Sequence, residues 1–276
     1  MNNLDKWEQR GTFGDMFGAV NSFFSALAFA GVIITILLQT SELKLQREEL
    51  VETRNELKGQ KEQLEIQNSN LIHQISDNIF FNLLEKHNQI TSSLELDKKQ
   101  LPATYRVTLE NDTYRGRDVF NGMYHILSGD NEIQLPEKVI DTYKEIQENY
   151  NYILGHYFRN FYQILAFIDE LEDTKNEHPK IEQKRYAKFL RAQLSTPELI
   201  ILFINCLDGI VDEGKFKQLL KKYAMLEHLP IITKESHYSV KGAENLLFEE
   251  SMINQYFRDQ DCGAYGKNPF FSNKKI

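Results

Sequence analysis

A short polar stripe in the second half of the chain carries side-chain types that acid–base chemistry uses. His156, Arg159 and Asn160 stand within about one helical turn, and Gln163 follows on the same side one turn later. An imidazole can move a proton while a guanidinium stabilises phosphate charge, so His156, Arg159 and Asn160 are candidate catalytic residues. The alternative is that these side chains cross-link a helix bundle, because polar groups beside an aromatic core are usually satisfied internally.

Two further polar residues, Arg191 and Asn205, pose the same question elsewhere in the sequence. Asn205 lies inside an almost wholly apolar run, so its amide must find hydrogen-bond partners. One hypothesis places Arg159, Arg191 and Asn205 around a pocket for an anionic signal such as a nucleotide. The competing hypothesis, which we favour, is that they tie three helices together.

Cofactor and metal motifs are missing from the sequence. The two cysteines, Cys206 and Cys262, are far apart and have no metal-ligand spacing. The chain has no glycine-rich phosphate loop, GxSxG elbow, HExxH or CxxC, which argues against P-loop NTPases and serine hydrolases. We therefore expect no cofactor and no metal. The net charge of -8 argues against DNA binding, although it leaves room for a small local RNA site.

The elements that must position these side chains are mainly helical. NYNYILGHYFRNFYQILAFIDELED has one broad apolar face and predicts an aromatic-rich core helix. Ser76 is a candidate N-cap of an earlier helix, and Thr196-Pro197-Glu198 predicts the start of a buried one. TYRVTLEND predicts a short strand or an extended loop, and KFKQLLKKYAMLEHL predicts the final helix. The prediction is an α-helical domain at 76–261 and a tail at 262–276.

An uncharged apolar segment at 16–40 follows a short N-terminal segment at 1–15. About 20 mostly apolar residues suffice to cross the hydrocarbon of a bilayer. The length and the flanking charges favour a single transmembrane helix over a buried core helix or a cleaved signal peptide. Lysine and arginine are more frequent after this segment than before it, which places the C-terminal domain in the cytoplasm.

Small residues recur at every fourth position of the predicted span. They are Gly14, Gly18, Ser22, Ala26 and Ala30. Such a stripe lets helix backbones approach closely in lipid, so we expect self-association or packing on a partner span. Chance is the alternative, because small residues are common in membrane helices.

A heptad repeat follows the predicted span at 41–75. Its leucines are Leu43, Leu50, Leu57, Leu64 and Leu71. A repeat this regular predicts a long helical stalk with one apolar seam. Three of the a positions would be Arg47, Arg54 and Lys61, which weaken an isolated coiled coil. We expect a homo-oligomer that the span and the domain help to hold together, with a single exposed helix as the alternative.

Three sequence blocks together resemble a known family. They are GTFGDMFGAVNSFFSALAFAGVIITILLQ from Gly11, HYFRNFYQILAFID from His156, and RYAKFLRAQLSTPELIILFINCL from Arg185. In combination they resemble the phage abortive infection proteins of the AbiC-like family. The resemblance implies a bacterial inner-membrane protein of antiviral defence, with a phage-derived or defence-system partner. Related proteins often carry another hydrophobic segment before the first block, but only ten residues precede Gly11 and we expect one span.

The resemblance supplies no catalytic residue map, and three functions stay open. We expect a non-enzymatic effector that perturbs the membrane when its cytoplasmic domain senses infection. The first alternative is a membrane-tethered ribonuclease of the HEPN type, in which an arginine precedes a histidine by a few residues. Arg117 and His125 are eight positions apart, which is longer than usual, and His156 and Arg159 occur in reversed order. The second alternative is a non-enzymatic scaffold for another defence component.

Overall fold

The structure is a computed structural model that describes residues 4–129, 133–171, 179–207, 210, 214–258 and 261–272. The chain divides into two compact units, Met1–Leu71 and Ile72–Ile276. Helix α1 (Leu4–Ser93) begins in the first unit and ends in the second. The described part of the chain is mainly helical, which confirms the predicted class, and it also contains short strands in two small sheets.

The first unit consists of the apolar and heptad parts of α1. The most apolar 18-residue window of α1 has a mean hydropathy of 2.1, and none of it is buried. Ser22 and Thr35 donate their hydroxyls to the carbonyl oxygens of Gly18 and Gly31, at 2.7 and 2.8 Å. By length and composition α1 can cross a membrane. Its complete exposure distinguishes this segment from the core helix of a soluble domain.

The heptad part of α1 continues the same helix without a break. Its five leucines are between 54% and 63% exposed in the single chain. Ser76 was predicted to cap a new helix, but it lies inside α1, because no proline or glycine interrupts the chain between Gly59 and Ser93. The coiled coil itself stays a prediction.

Eight further α-helices belong to the second unit in the described residues. They are α2 (Ala103–Arg106), α3 (Asp118–Ser128), α4 (Pro136–Glu170), α5 (Pro179–Arg191), α6 (Thr196–Asn205), α7 (Lys215–Lys222), α8 (Glu250–Asn254) and α9 (Pro269–Ser272). Helix α6 is the centre of the core, since every residue from its third position onward is buried. Helix α4 joins two segments of the sequence and kinks at Tyr150, whose φ is −130° and ψ is 24°.

Two small antiparallel sheets complete the second unit. Strand β1 (Glu95–Asp97) pairs with β2 (Thr113–Arg115), and β3 (Ile231–Lys234), β4 (His237–Val240) and β5 (Ala243–Phe248) form a meander. The prediction of a strand or loop for TYRVTLEND is partly wrong, because its first residues form α2 and only its end reaches β2. The second sheet was not predicted, since its strands are four to six residues long.

The end of the chain packs against the core instead of forming a tail. Ala264 and Tyr265 are fully buried, and the rings of Tyr265 and Phe271 lie 4.6 Å apart. The predicted tail at 262–276 is therefore wrong for its described part. The helix predicted for KFKQLLKKYAMLEHL is also shorter than expected, because Ala224 adopts a left-handed φ of 53° just after α7 ends.

Candidate functional site

The polar stripe of α4 divides between two directions. Both His156 and Arg159 are exposed, and the Nη2 of Arg159 lies 3.2 Å from the Nδ1 of His156. Asn160 is directed toward α1 instead, where its Oδ1 lies 3.1 Å from the Nδ1 of His87. The structure therefore brings two of the three candidate catalytic residues together and separates Asn160 from them.

His87 is a buried histidine that the sequence analysis did not single out. Its side chain is 1% exposed, and its ring packs 4.7 Å from the ring of Tyr157. Burial lowers the pKa of His87 from 6.5 to about 4, with a smaller opposing effect from the Asn160 hydrogen bond. An amide oxygen can only accept, so a neutral His87 donates its Nδ1 proton to Asn160. The available signal was its position, one turn beyond Leu84 on the apolar face of α1.

A small cavity brings Arg159 and Asn205 together, as one hypothesis expected. Its volume is about 280 Å³, and amide and aromatic side chains line much of it. The Oδ1 of Asn205 accepts from the hydroxyl of Tyr143 at 2.8 Å and from the Nε2 of Gln147 at 3.3 Å. The buried amide thus has the partners that its position in α6 requires.

Arg191 lies apart from that cavity, so the three residues do not converge on one pocket, which agrees with the cross-linking hypothesis that we favoured over it. Its Nη1 donates to the carbonyl oxygen of Ala224 at 2.7 Å and to the Oε2 of Glu227 at 2.5 Å. Arg191 lines a different cavity, formed by α5 and the segments after α7. The cross-linking hypothesis describes the contacts of Arg191 and Asn205, whereas a ligand at Arg159 stays a prediction.

A buried carboxylate ties three helices together through contacts that sequence spacing could not reveal. Glu198 is fully buried, and its Oε2 accepts from the Nη1 of Arg117 at 2.7 Å and from the Oγ of Ser195 at 2.6 Å. The hydroxyl of Tyr157 donates to its Oε1 at 3.2 Å. Burial, and then the charge of Glu198, hold the pKa of Tyr157 well above its usual value. The arginine and histidine whose spacing was compared with the HEPN motif thus have separate contacts. Arg117 forms an ion pair with Glu198, and the ring of His125 packs against the ring of Tyr124.

Part of the region that holds these side chains matches a known family model. Residues 149–234 match the family model described as "Putative phage abortive infection protein". The abortive infection resemblance is confirmed for this segment. No curated protein and no solved structure matches the chain.

The matched segment extends from the kink of α4 to the end of β3. It contains His156, Arg159, Asn160, Arg191 and Asn205, whereas Arg117 and His125 lie outside it. The block that begins at Gly11 lies outside the match. Within the described residues, no group of three or more His, Cys, Asp or Glu side chains could hold a metal ion.

Proposed function

We propose that this protein is a membrane-anchored effector of phage abortive infection, whose cytoplasmic domain senses infection and whose membrane segment then perturbs the bacterial membrane. The observation that carries the proposal is the fully exposed apolar segment of α1 in a chain that also contains an abortive infection segment. The first feature supplies the site of action, and the second supplies the biological process.

Lipid is the environment that accounts for the exposed segment. Its large apolar side chains, from Met16 to Leu38, are 44% to 69% exposed. Each square ångström of apolar surface left in water costs about 25 cal/mol, so a contiguous surface of this kind needs a cover. The hydroxyls of Ser22 and Thr35 already bond to the backbone of α1, as polar groups within hydrocarbon must.

A second copy of the chain is the association partner that we favour. At Gly14 and Gly18, the position of a Cβ atom has no neighbour within 4 Å, so the stripe of small residues is open to another helix. The exposed heptad leucines continue from the same helix and offer a second seam. Association through both surfaces would assemble several spans in one place, which is how a single-span protein can disturb a bilayer.

Membrane location and protection can be tested with paired charge variants. Lysine at Leu27 and Val32 places two charges in the middle of the span, each costing about 3 kcal/mol near a bilayer centre. Lysine at Leu45 and Val51 makes the same changes beyond the span, at side chains that are each 58% exposed. We expect the first variant to leave the membrane fraction and lose protection against phage, while the second retains both. Protection by a span variant found only in the soluble fraction would contradict the proposal.

A membrane-tethered ribonuclease is the second candidate, and one observation favours it. His156 and Arg159 are adjacent, and His156 lines a cavity of about 520 Å³ that also contains Lys86. His156→Ala distinguishes the two functions, because an exposed side chain can be removed with little effect on folding. The effector proposal expects His156→Ala to retain protection. The control, His228→Ala, changes another exposed histidine and should also retain it. Loss of protection in His156→Ala alone, at unchanged stability, would favour RNA cleavage.

The scaffold alternative predicts that the chain alone protects nothing. Expression of this chain in cells that lack any companion defence protein tests it directly. Protection in those cells would contradict a scaffold, and its absence at normal expression would contradict a self-sufficient effector.

A further inference from the structure

A basic cavity lies between α5, the turn after α7 and the segment around Gly266. Its volume is about 500 Å³. The charged side chains that line it are Lys184, Lys188, Arg191, Lys222, Glu227 and Lys267. We propose that this cavity binds a small anion that carries phosphate groups.

The charge of the cavity is only partly compensated by the protein. Arg191 pairs with Glu227, and Lys222 pairs with Asp169. The remaining lysines, Lys184, Lys188 and Lys267, have no ion-pair partner among the residues that the structure describes. Three uncompensated ammonium groups around one cavity stand out in a chain whose net charge is -8.

Two of these lysines repel each other without a ligand, although the last turn of α5, where Lys188 lies, itself favours a positive charge. Lys184 and Lys188 are four residues apart on α5, so both project from one side of the helix. Like charges at this spacing repel each other and weaken a helix. A bound anion would convert that repulsion into two charge-assisted contacts, and compact ammonium groups suit phosphate well.

The floor of the cavity is fixed, which distinguishes it from a chance group of surface lysines. The side chain of Arg191 is 9% exposed and bonds both the carbonyl of Ala224 and the carboxylate of Glu227. Gly266 packs so closely that a Cβ there would lie 2.8 Å from the Cβ of Ala224. These contacts therefore hold the floor of the cavity in place, while the three exposed lysines lie at its rim.

The size of the cavity fits a small ligand and not a polymer groove. Sites for small molecules and cofactors typically enclose about 300–1,000 Å³. A soluble phosphorylated compound and a phospholipid headgroup share the chemistry that these lysines recognise. Use of such a ligand as the infection signal would rest on the proposed effector function, whereas binding itself can be measured independently of it.

The test uses the full chain in a nonionic detergent and isothermal titration calorimetry. The ligands are inorganic triphosphate and, separately, a water-soluble short-chain phosphatidylglycerol. The cavity variant replaces Lys184, Lys188 and Lys267 by glutamine. The matched control makes the same replacement at Lys99, Lys138 and Lys241, which are also exposed but lie outside the cavity.

We expect triphosphate to bind the unmodified chain, with a Kd that rises about tenfold or more in the cavity variant. The control should stay within about twofold, and increasing salt should weaken the specific binding. Binding of phosphatidylglycerol alone, with the same selective loss, would also support the site and would identify a lipid headgroup as the source.

Failure to bind either ligand, or equal weakening by both triple variants, would overturn the proposal. Thermal melting of both variants tests whether unfolding is the cause. We expect unchanged melting temperatures, because all six lysines are exposed. Selective binding in a protein that leaves membrane potential unchanged would leave the site standing and contradict only the effector function.

Discussion

The Nδ1 of His87 lies 3.1 Å from the Oδ1 of Asn160, and this contact joins the end of α1 to α4 inside the C-terminal unit. Helix α1 is continuous from its apolar segment through His87. The helix that we propose to cross the membrane therefore makes a buried polar contact with the matched segment near its C-terminal end. Because His87 belongs to α1 and Asn160 belongs to α4, this contact is the first target for mutagenesis.

Removal of the Asn160 side chain should destabilise the C-terminal unit. Asn160→Ala leaves the buried N–H of His87 without an acceptor, which costs about 1–3 kcal/mol in the free energy of unfolding. Asn149→Ala is the control, because this exposed α4 side chain donates only to the backbone of Glu145. Urea denaturation measures both. A fully stable Asn160→Ala protein that has lost protection would indicate a functional residue instead.

Stability should fall in mild acid because of His87. Its pKa is lowered from 6.5 in the unfolded chain to about 4 in the folded protein. Between these values the unfolded state binds more protons, so the contribution of His87 is complete above pH 6.5 and is lost as the pH falls toward 4. The expected loss between pH 7 and pH 5 is roughly 2 kcal/mol, measured by urea denaturation at both pH values.

A matched pair of variants isolates this effect from other groups that titrate. His87→Asn keeps an N–H donor near Asn160 but cannot titrate, so the dependence of unfolding free energy on pH should become shallower. His228→Asn changes an exposed histidine and should leave the dependence as it is. The same slope in both variants would show that His87 is not the group responsible.

Two neighbouring arginines should differ greatly in their effect on stability. Arg117→Ala leaves the fully buried carboxylate of Glu198 without its counter-ion, and because the arginine is itself partly exposed the expected cost is about 2–3 kcal/mol. Arg115→Ala breaks an exposed pair with Glu95 and should cost about 1 kcal/mol or less. Thermal denaturation compares them. Similar melting temperatures would contradict the structural role assigned to the Arg117–Glu198 pair.

Two glycines with left-handed backbones separate conformational strain from steric crowding. Gly242 has a φ of 88° and open space around its Cβ position, so Gly242→Ala should cost about 1–2 kcal/mol. Gly266 has a φ of 50°, and a Cβ there would lie 2.8 Å from both the Cβ of Ala224 and the Oε2 of Glu227. Gly266→Ala should cost about 1–3 kcal/mol more, because crowding adds to strain. Equal losses of unfolding free energy in the two variants would show that Ala224 and Glu227 can move away from residue 266 at little cost.

The helices were predictable because each carries a local signal. The apolar face around Tyr157 specified α4, and Ser195 and Glu198 form a capping box at the start of α6. The second sheet gave a weaker signal, since its strands are short and one turn uses Glu235, a residue that rarely adopts a φ of 55°. The buried end of the chain was missed because Tyr265 lies among glycine and lysine residues that are typical of a tail.

The candidate site was less predictable because its contacts join distant parts of the chain. His87 and Asn160 are 73 positions apart, and Arg117 and Glu198 are 81 apart. Helical periodicity shows which side chains share a face, but it does not show which face of another helix they meet. For this reason periodicity could not decide whether Arg159, Arg191 and Asn205 share a pocket, and the structure places Arg191 in a different cavity from the other two.

The central claim is that this protein acts on the membrane through the stripe of small residues. The deciding measurement is membrane potential in single infected cells, followed with a voltage-sensitive dye. One variant replaces Gly18, Ser22 and Ala26 by leucine. The control replaces Ala28, Gly31 and Thr35 by leucine, which changes the same kinds of residue on the opposite side of α1.

At equal expression, we predict that the unmodified chain and the control depolarise infected cells, while the stripe variant does not. Phage protection should be lost together with depolarisation. Protection by the unmodified chain without any depolarisation would contradict a membrane-acting effector and would favour an activity of the C-terminal unit.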